Sequence, residues 1–113
     1  MSDIIVLSLE FGLIGALFIA LGIPLKRGKV PPNIWYGFRT RNTLSNKEIW
    51  YSVNRATGED MVRGGASLVA CSFFVMVLRD WLEFEAALTI LLGVTILTAL
   101  WMLIHGISIL RRV

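Results

Sequence analysis

Residues Ile4 to Leu25 read IIVLSLEFGLIGALFIALGIPL, and this stretch decides the class of fold. An α-helix needs roughly 20 apolar residues to cross the hydrocarbon core of a bilayer. Glu10 is the one charged residue in the run, and a basic cluster that begins at Lys26 follows it. The stretch therefore predicts a membrane-spanning helix that is stopped by Pro24 and the basic residues behind it.

Two further apolar runs follow the same pattern, from about Met61 to Leu78 and from about Ala86 to Leu110. Hydrophobic residues make up 56% of the 113-residue chain and charged residues 17%, whereas soluble domains have about 45–50% and about 25%. We therefore expect an all-α membrane protein with three transmembrane helices. The expected organisation is a single membrane domain over residues 1–113, in which residues 26–60 form a link between the first two spans.

The distribution of charge predicts how the chain is oriented. Residues 26–63 carry eight basic and three acidic side chains, whereas residues 79–85 carry one basic and three acidic side chains. The C-terminus ends with Arg111 and Arg112 before Val113. Because basic residues concentrate on the cytoplasmic side, we expect a multi-pass protein of the plasma membrane with its N-terminus outside and its link and C-terminus in the cytoplasm.

Small residues predict the faces through which the helices pack, because close backbone approach drives helix association in lipid. On the first span they recur every four positions. Packing within one chain is the simpler interpretation, and a homo-oligomer formed through the same stripe is the alternative. The predicted faces are Ser8, Gly12, Ala16 and Ala20 on the first span, Ala66 with Ala70 and Ser67 with Cys71 on the second, and Thr89, Gly93, Thr95 and Thr98 on the third.

A few ionisable side chains lie within or beside the spans. Glu10 lies six residues into the first run, and Arg79 at the end of the second run is its expected partner. An intramembrane carboxylate is often functional, but an interfacial or paired role is the simpler interpretation here. His105 is expected to pack or to lie at the interface. With one histidine and one cysteine, Cys71, we expect no metal site and no cofactor.

The link is the most informative segment, and it divides into three parts. A proline-rich turn, Val30 to Asn33, precedes a stretch that alternates aromatic and basic residues. Ser45 and Glu48 then have the spacing of a capping box, which predicts a short amphipathic interfacial helix over residues 46–57. Gly58 is expected to end this helix, and Trp50 to lie at headgroup level. A segment pressed against a bilayer is a poor site for nucleic acid, so we expect no such partner.

Within the link, residues with specific conformational or hydrogen-bonding properties recur at set spacing. They are Pro32-Asn33, Tyr36-Gly37-Phe38-Arg39-Thr40, Thr43-Leu44-Ser45, Glu48-Ile49-Trp50, Asn54 and Gly58. This pattern resembles the signature of the SdpI family, bacterial membrane proteins named for an immunity protein against a secreted sporulation-delaying peptide toxin. The chain is similar to the short, three-helix form of that family, which lacks the extra N-terminal helices of the longer immunity protein.

The resemblance implies a non-enzymatic protein of the cell membrane. It would give immunity to a peptide toxin, or act in signalling by holding a cytoplasmic regulator at the membrane, and its partners would include the lipid bilayer. The residues expected to carry this role are Asn33, Tyr36, Gly37, Arg39, Thr40, Trp50 and Asn54. The alternative is a small proton-coupled exporter of cationic compounds that uses Glu10. A catalytic pair of Cys71 and His105 is disfavoured, since these residues are expected at different depths.

Overall fold

A computed structural model describes residues 2–113. These residues form α1 (Ser2–Lys26), α2 (Arg41–Ser45), α3 (Lys47–Val77) and α4 (Phe84–Arg112), with one turn of 3-10 helix at Arg79–Trp81 between α3 and α4. Three of these helices, α1, α3 and α4, are long and apolar enough to cross a membrane. The predicted class, an all-α membrane protein with three spans, is confirmed.

The first helix ends at a glycine and not at the proline that we expected to stop it. Pro24 lies inside the last turn of α1. The helix ends because Gly28 adopts a φ of +67°, which lets Gly28 N–H bond to Leu25 O and Lys29 N–H to Pro24 O, at 3.1 and 3.0 Å. This is the Schellman arrangement, which satisfies carbonyls that the helix end leaves free.

The start of α3 is displaced by one residue from the predicted capping box. Ser45 belongs to the last turn of α2, and its hydroxyl donates to Asn42 O. Asn46 is extended and caps α3 instead, since its side-chain oxygen accepts the N–H groups of Glu48 and Ile49 at 2.9 and 3.2 Å. Asparagine is among the best N-cap residues. The extended backbone of Asn46 separates the end of α2 from the start of α3.

The amphipathic helix predicted for residues 46–57 is present but is not a separate element. It forms the first turns of α3, which continues through Gly58 to Val77. The 31 residues of α3 extend about 46 Å at 1.5 Å per residue, well beyond the roughly 30 Å of hydrocarbon. The excess at the start of α3 reaches past the end of α1 and provides a platform for the α1–α3 connection, residues 27–46.

Two antiparallel rows of small residues join α1 and α3. A Cβ on Gly22 would lie 2.8 Å from Gly58 O, and a Cβ on Gly15 would lie 2.6 Å from Gly65 O. The two glycines on each helix are seven residues apart, and the next step of seven reaches Ser8 on α1 and Ser72 on α3, both buried. A seven-residue repeat keeps one face on the partner helix, so α1 and α3 pack as a close antiparallel pair.

The faces of small residues predicted for the first two spans are therefore wrong for most of their members. Ser8 is buried and Gly12 half-buried, but Ala16, Ala20, Ala66, Ala70 and Ser67 are all exposed. On a helix with 3.6 residues per turn, residues four positions apart are offset by about 40° around the helix axis. A stripe with this spacing therefore turns away from the partner helix after one or two steps. Cys71, which is half-buried, lies beside the apolar core formed by α1, α3 and α4.

The third span, α4, packs chiefly along α3 and leaves most of its apolar surface open to lipid. Ala87 and Leu91 are fully buried, and Gly64 of α3 faces the methyl group of Thr98. Gly93 was expected in this contact, but a Cβ there would meet no atom within 4 Å. Thr89 is exposed and Thr95 half-buried, and both donate to carbonyls of their own helix.

Candidate functional site

The α1–α3 connection begins with a turn that Asn33 holds. Its side-chain oxygen accepts the N–H groups of Trp35 and Tyr36 at 2.8 and 2.9 Å. Its amide nitrogen donates to Pro31 O at 2.8 Å. An asparagine that bonds the backbone two residues ahead replaces a backbone turn, so one side chain fixes the path of the chain through residues 31–36.

Gly37 lets the connection approach α3 closely. It has a φ of +111°, a region that side-chain-bearing residues rarely adopt. A Cβ at this position would lie 2.7 Å from the side-chain oxygen of Asn54 and 3.2 Å from the ring of Trp50. Both the backbone angle and the space therefore require glycine.

Asn54 clamps the connection to α3. Its side-chain oxygen accepts Phe38 N–H at 2.5 Å, and its amide nitrogen donates to Phe38 O and Trp50 O at 3.3 and 3.0 Å. The residue is 1% exposed, and a buried amide of this kind stabilises only if its polar atoms are paired. Here the oxygen and the nitrogen of the amide are both used.

Trp50 lies beneath the connection, so it is not the free amphipathic side chain that the sequence suggested. It is fully buried, and its indole Nε1–H donates to Val30 O at 2.8 Å. Val53 is also fully buried and Ile49 half-buried. The apolar face predicted for this helix therefore exists, but the chain itself covers part of it.

Arg39 and Thr40 complete the arrangement. The guanidinium of Arg39 donates to Ile34 O, which closes the loop between them. Thr40 caps α2: its hydroxyl accepts Thr43 N–H at 3.2 Å, and Thr43 Oγ1 accepts Thr40 N–H at 2.7 Å. This reciprocal pair is a capping box, and it lies five residues before the one that the sequence predicted.

Six residues shape the connection through these contacts, and we call them the frame: Asn33, Gly37, Arg39, Thr40, Trp50 and Asn54. Tyr36 is half-buried, and its N–H is held by Asn33. The frame leaves two large apolar side chains outside: Ile34 is 69% and Trp35 82% exposed. We call this pair the tip. Within the frame, Trp50 and Asn54 are buried, Asn33, Gly37 and Thr40 are half-buried, and Arg39 is exposed. The tip is what the frame presents.

The connection also touches the last span. The ring of Phe38 packs on Gly106 of α4, where an added Cβ would lie 2.5 Å from the ring. Because Asn54 holds the backbone of Phe38, the connection joins α3 to the end of α4. Neither Phe38 nor Gly106 was expected in this role, although the two aromatic residues that flank Gly37 in the sequence suggest packing.

The charged residues within the spans are arranged differently from expectation. Glu10 is exposed, and Arg79 donates to Met76 O at 2.8 Å. Among the described residues, 2–113, these two side chains form no ion pair. A pair that the sequence did not predict joins Asp60 of α3 to His105 of α4 at 2.5 Å.

No catalytic or metal-binding cluster is evident within the part of the chain that the structure describes. His105 meets α3 at Asp60, and Cys71 lies 11 residues further along that helix, about 16 Å away at 1.5 Å per residue. Groups of three or more histidine, cysteine, aspartate or glutamate side chains suited to a metal ion are not found among residues 2–113.

Comparison with known proteins identifies the family. The family model described as the SdpI/YfhL protein family matches residues 29–107, a range that contains the frame, the tip, α3 and most of α4. The chain therefore belongs to this family of membrane proteins, and the predicted resemblance is confirmed. Searches of curated proteins and of solved structures returned no match to the chain.

Proposed function

We propose that this chain is a non-enzymatic membrane protein that confers immunity to a peptide toxin, or signals by holding a cytoplasmic regulator at the membrane. In both cases the α1–α3 connection is the recognition element. The observation that supports this proposal is the exposed tip. Trp35 and Ile34 are carried on a turn whose backbone is fixed by Asn33 and Arg39, and a preorganised turn loses less entropy when it binds.

The residues that we propose to contact the partner therefore differ from those that the sequence predicted to carry the role. Asn54, Trp50 and Gly37 act by shaping the connection, and the tip makes the contact. Tryptophan is among the residues most often found at the energetic centre of an interface. The basic residues around the connection favour a cytoplasmic location, where a regulator or an inserted toxin could meet the tip.

The test uses two tryptophans with the same exposure at opposite ends of the molecule. Trp35 is 82% and Trp81 80% exposed, so each can be replaced by alanine with little change in packing. Cells of a toxin-sensitive bacterium would express either variant and be challenged with the sporulation-delaying peptide toxin. Proteins that copurify with the chain in mild detergent would be compared in parallel.

We expect Trp35→Ala to lose protection or the copurifying regulator, and Trp81→Ala to retain both. If the two variants are present in the membrane at equal levels and give equal protection and equal copurification, the tip is not the contact surface. If the unaltered chain neither protects the cells nor retains a regulator, the proposed function itself is wrong.

A further inference from the structure

A groove between α3 and α4 opens on the outer surface of the helix bundle, in the half that lies nearer the α1–α3 connection. Its lining consists of Arg63, Gly64, Ser67, Leu97, Thr98 and Trp101. The hydroxyl of Ser67 donates to Arg63 O at 3.0 Å, so this side chain needs no further partner. Beyond Arg63, the groove therefore offers small and apolar side chains that suit a hydrocarbon chain.

Arg63 lies at the end of the groove that is nearer the connection. Gly58 packs on the backbone nitrogen of Lys26, the last residue of α1, and Arg63 is five residues further along α3, about 7.5 Å at 1.5 Å per residue. The side chain of Arg63 is 68% exposed. A guanidinium that faces the edge of the hydrocarbon is costly unless it reaches a polar partner near the interface.

Glu59, one turn nearer the end of the span, is the acidic neighbour of Arg63. Its carboxylate oxygen Oε2 lies 3.8 Å from Nη2 of Arg63, and the side chain of Glu59 is 48% exposed. This distance is longer than a hydrogen bond, and an exposed pair of this kind contributes little to stability. Both groups also keep further hydrogen-bonding positions, so a positive and a negative group stand side by side and are open to a ligand.

The α4 side of the groove is held in place by an aromatic stack. The indole of Trp101 stacks on the imidazole of His105, with ring centroids 5.3 Å apart and planes 14° from parallel. The same imidazole contacts Asp60 of α3 at 2.5 Å. The stack is therefore tied to both helices, and the groove has one preorganised side, which lowers the cost of binding.

We propose that this groove binds one molecule of phosphatidylethanolamine. From the middle of the membrane outward, this lipid has acyl chains, a phosphate and an ammonium group. The groove provides partners in the same order along α3: the apolar lining, then the guanidinium of Arg63, then the carboxylate of Glu59. The planar fork of an arginine matches phosphate oxygens, and the ammonium group can donate to the carboxylate.

The paired charges also determine which headgroup fits. Phosphatidylglycerol has no cation, so its net negative charge would lie beside Glu59 without compensation. Phosphatidylcholine has a cation with no N–H group to donate to that carboxylate. An ethanolamine headgroup satisfies both Arg63 and Glu59, and this site does not depend on the proposed function.

The headgroup is tested by titrating the full chain, purified in mild detergent, with the three lipids carrying identical acyl chains and counting bound lipid by native mass spectrometry. Phosphatidylethanolamine should bind about tenfold more tightly than the other two, the effect of one hydrogen bond to a charged group. Arg63→Gln should weaken its binding by a similar factor, and Glu59→Gln should abolish its advantage over phosphatidylglycerol. The matched controls Arg41→Gln and Glu48→Gln alter exposed charges outside the groove and should change neither.

The groove itself is tested by filling it. Ser67→Phe places a ring among the lining residues and should displace the lipid, whereas Ala66→Phe, at the exposed neighbouring position outside the lining, should retain it. Glycerophosphoethanolamine, the same headgroup without acyl chains, should bind at least about tenfold more weakly than the lipid. Equal affinity for it would show that the groove holds no acyl chain, as would full lipid binding by Ser67→Phe.

Two results would overturn the headgroup assignment: equal binding of the three lipids by the unaltered chain, or unchanged binding of phosphatidylethanolamine by Arg63→Gln. If a variant fails to fold, the selectivity of the unaltered chain still decides, since the site requires a preference for the ethanolamine headgroup.

Discussion

The two connections between spans differ in how they are held. The α1–α3 connection, residues 27–46, is fixed by side chains: Asn33, Arg39 and Asn54 each bond its backbone. The α3–α4 turn, residues 78–83, is closed by backbone bonds, Leu78 N–H to Phe74 O and Trp81 N–H to Leu78 O. Both connections expose a tryptophan. The comparison shows that a short turn suffices to join two spans, so the side-chain bonds of the α1–α3 connection exceed what joining two spans requires.

The largest expected difference concerns the side of the membrane on which each connection lies. Lys47 and Asp80 are both exposed, so a cysteine can replace either one in a Cys71→Ala background. In intact cells, an impermeant maleimide should label Asp80→Cys and leave Lys47→Cys unlabelled until the membrane is opened, because we expect the basic end to face the cytoplasm. Labelling of Lys47→Cys in intact cells would reverse the orientation.

Asn54→Ala should release the α1–α3 connection from α3. The change removes three hydrogen bonds and leaves half-buried backbone groups of Phe38 without partners, so we expect a loss of about 2–3 kcal/mol. Trypsin should then cleave the connection while the spans stay protected. Asn42, which is exposed on α2, gives the matched control, and Asn42→Ala should resist trypsin as the unaltered chain does.

Gly37→Ala should destabilise the connection somewhat less than Asn54→Ala does. A non-glycine residue at this backbone angle costs about 1–3 kcal/mol, and the added methyl group would meet the Asn54 oxygen at 2.7 Å. In Gly93→Ala, by contrast, the methyl group enters open space within a helix, so stability should be unchanged or rise by less than about 1 kcal/mol. Denaturation in mixed micelles would compare the two, and equal losses would argue against a requirement for glycine at Gly37.

Arg39→Ala should have the smallest effect on stability, below about 1 kcal/mol, because the side chain is exposed and substitutions at the surface have small effects. Its loss frees Ile34 O and lets the tip move, so protection or signalling should fall while membrane insertion is normal. Arg41→Ala, at the exposed first residue of α2, should leave both unchanged. Full function in Arg39→Ala would show that the bond to Ile34 is dispensable.

Much of this fold could be predicted from the sequence because membrane spans are specified by length and hydropathy, which are local properties. The cap of α3 was displaced by one residue because two good capping residues, Ser45 and Asn46, are adjacent. The continuation of the helix through Gly58 could not be predicted. A glycine can end a helix or allow another helix to approach it, and only the position of Gly22 distinguishes these two roles.

The residues of the candidate site were recognised by type and spacing, but their division into frame and tip depends on tertiary contacts. Asn54 meets Phe38 across 16 residues, and no local pattern specifies that bond. The pair of Asp60 and His105 spans 45 residues and was missed for the same reason. Its one signal in the sequence was an aspartate at the very edge of an apolar run.

Hydrogen–deuterium exchange on the protein in lipid nanodiscs would show whether the frame fixes the α1–α3 connection so that it presents the tip. We expect slow exchange for peptides covering residues 33–38, faster exchange across residues 78–83, and loss of the protection at 33–38 in Asn54→Ala. Exchange at 33–38 as fast as in the α3–α4 turn of the unaltered chain would contradict this role of the frame.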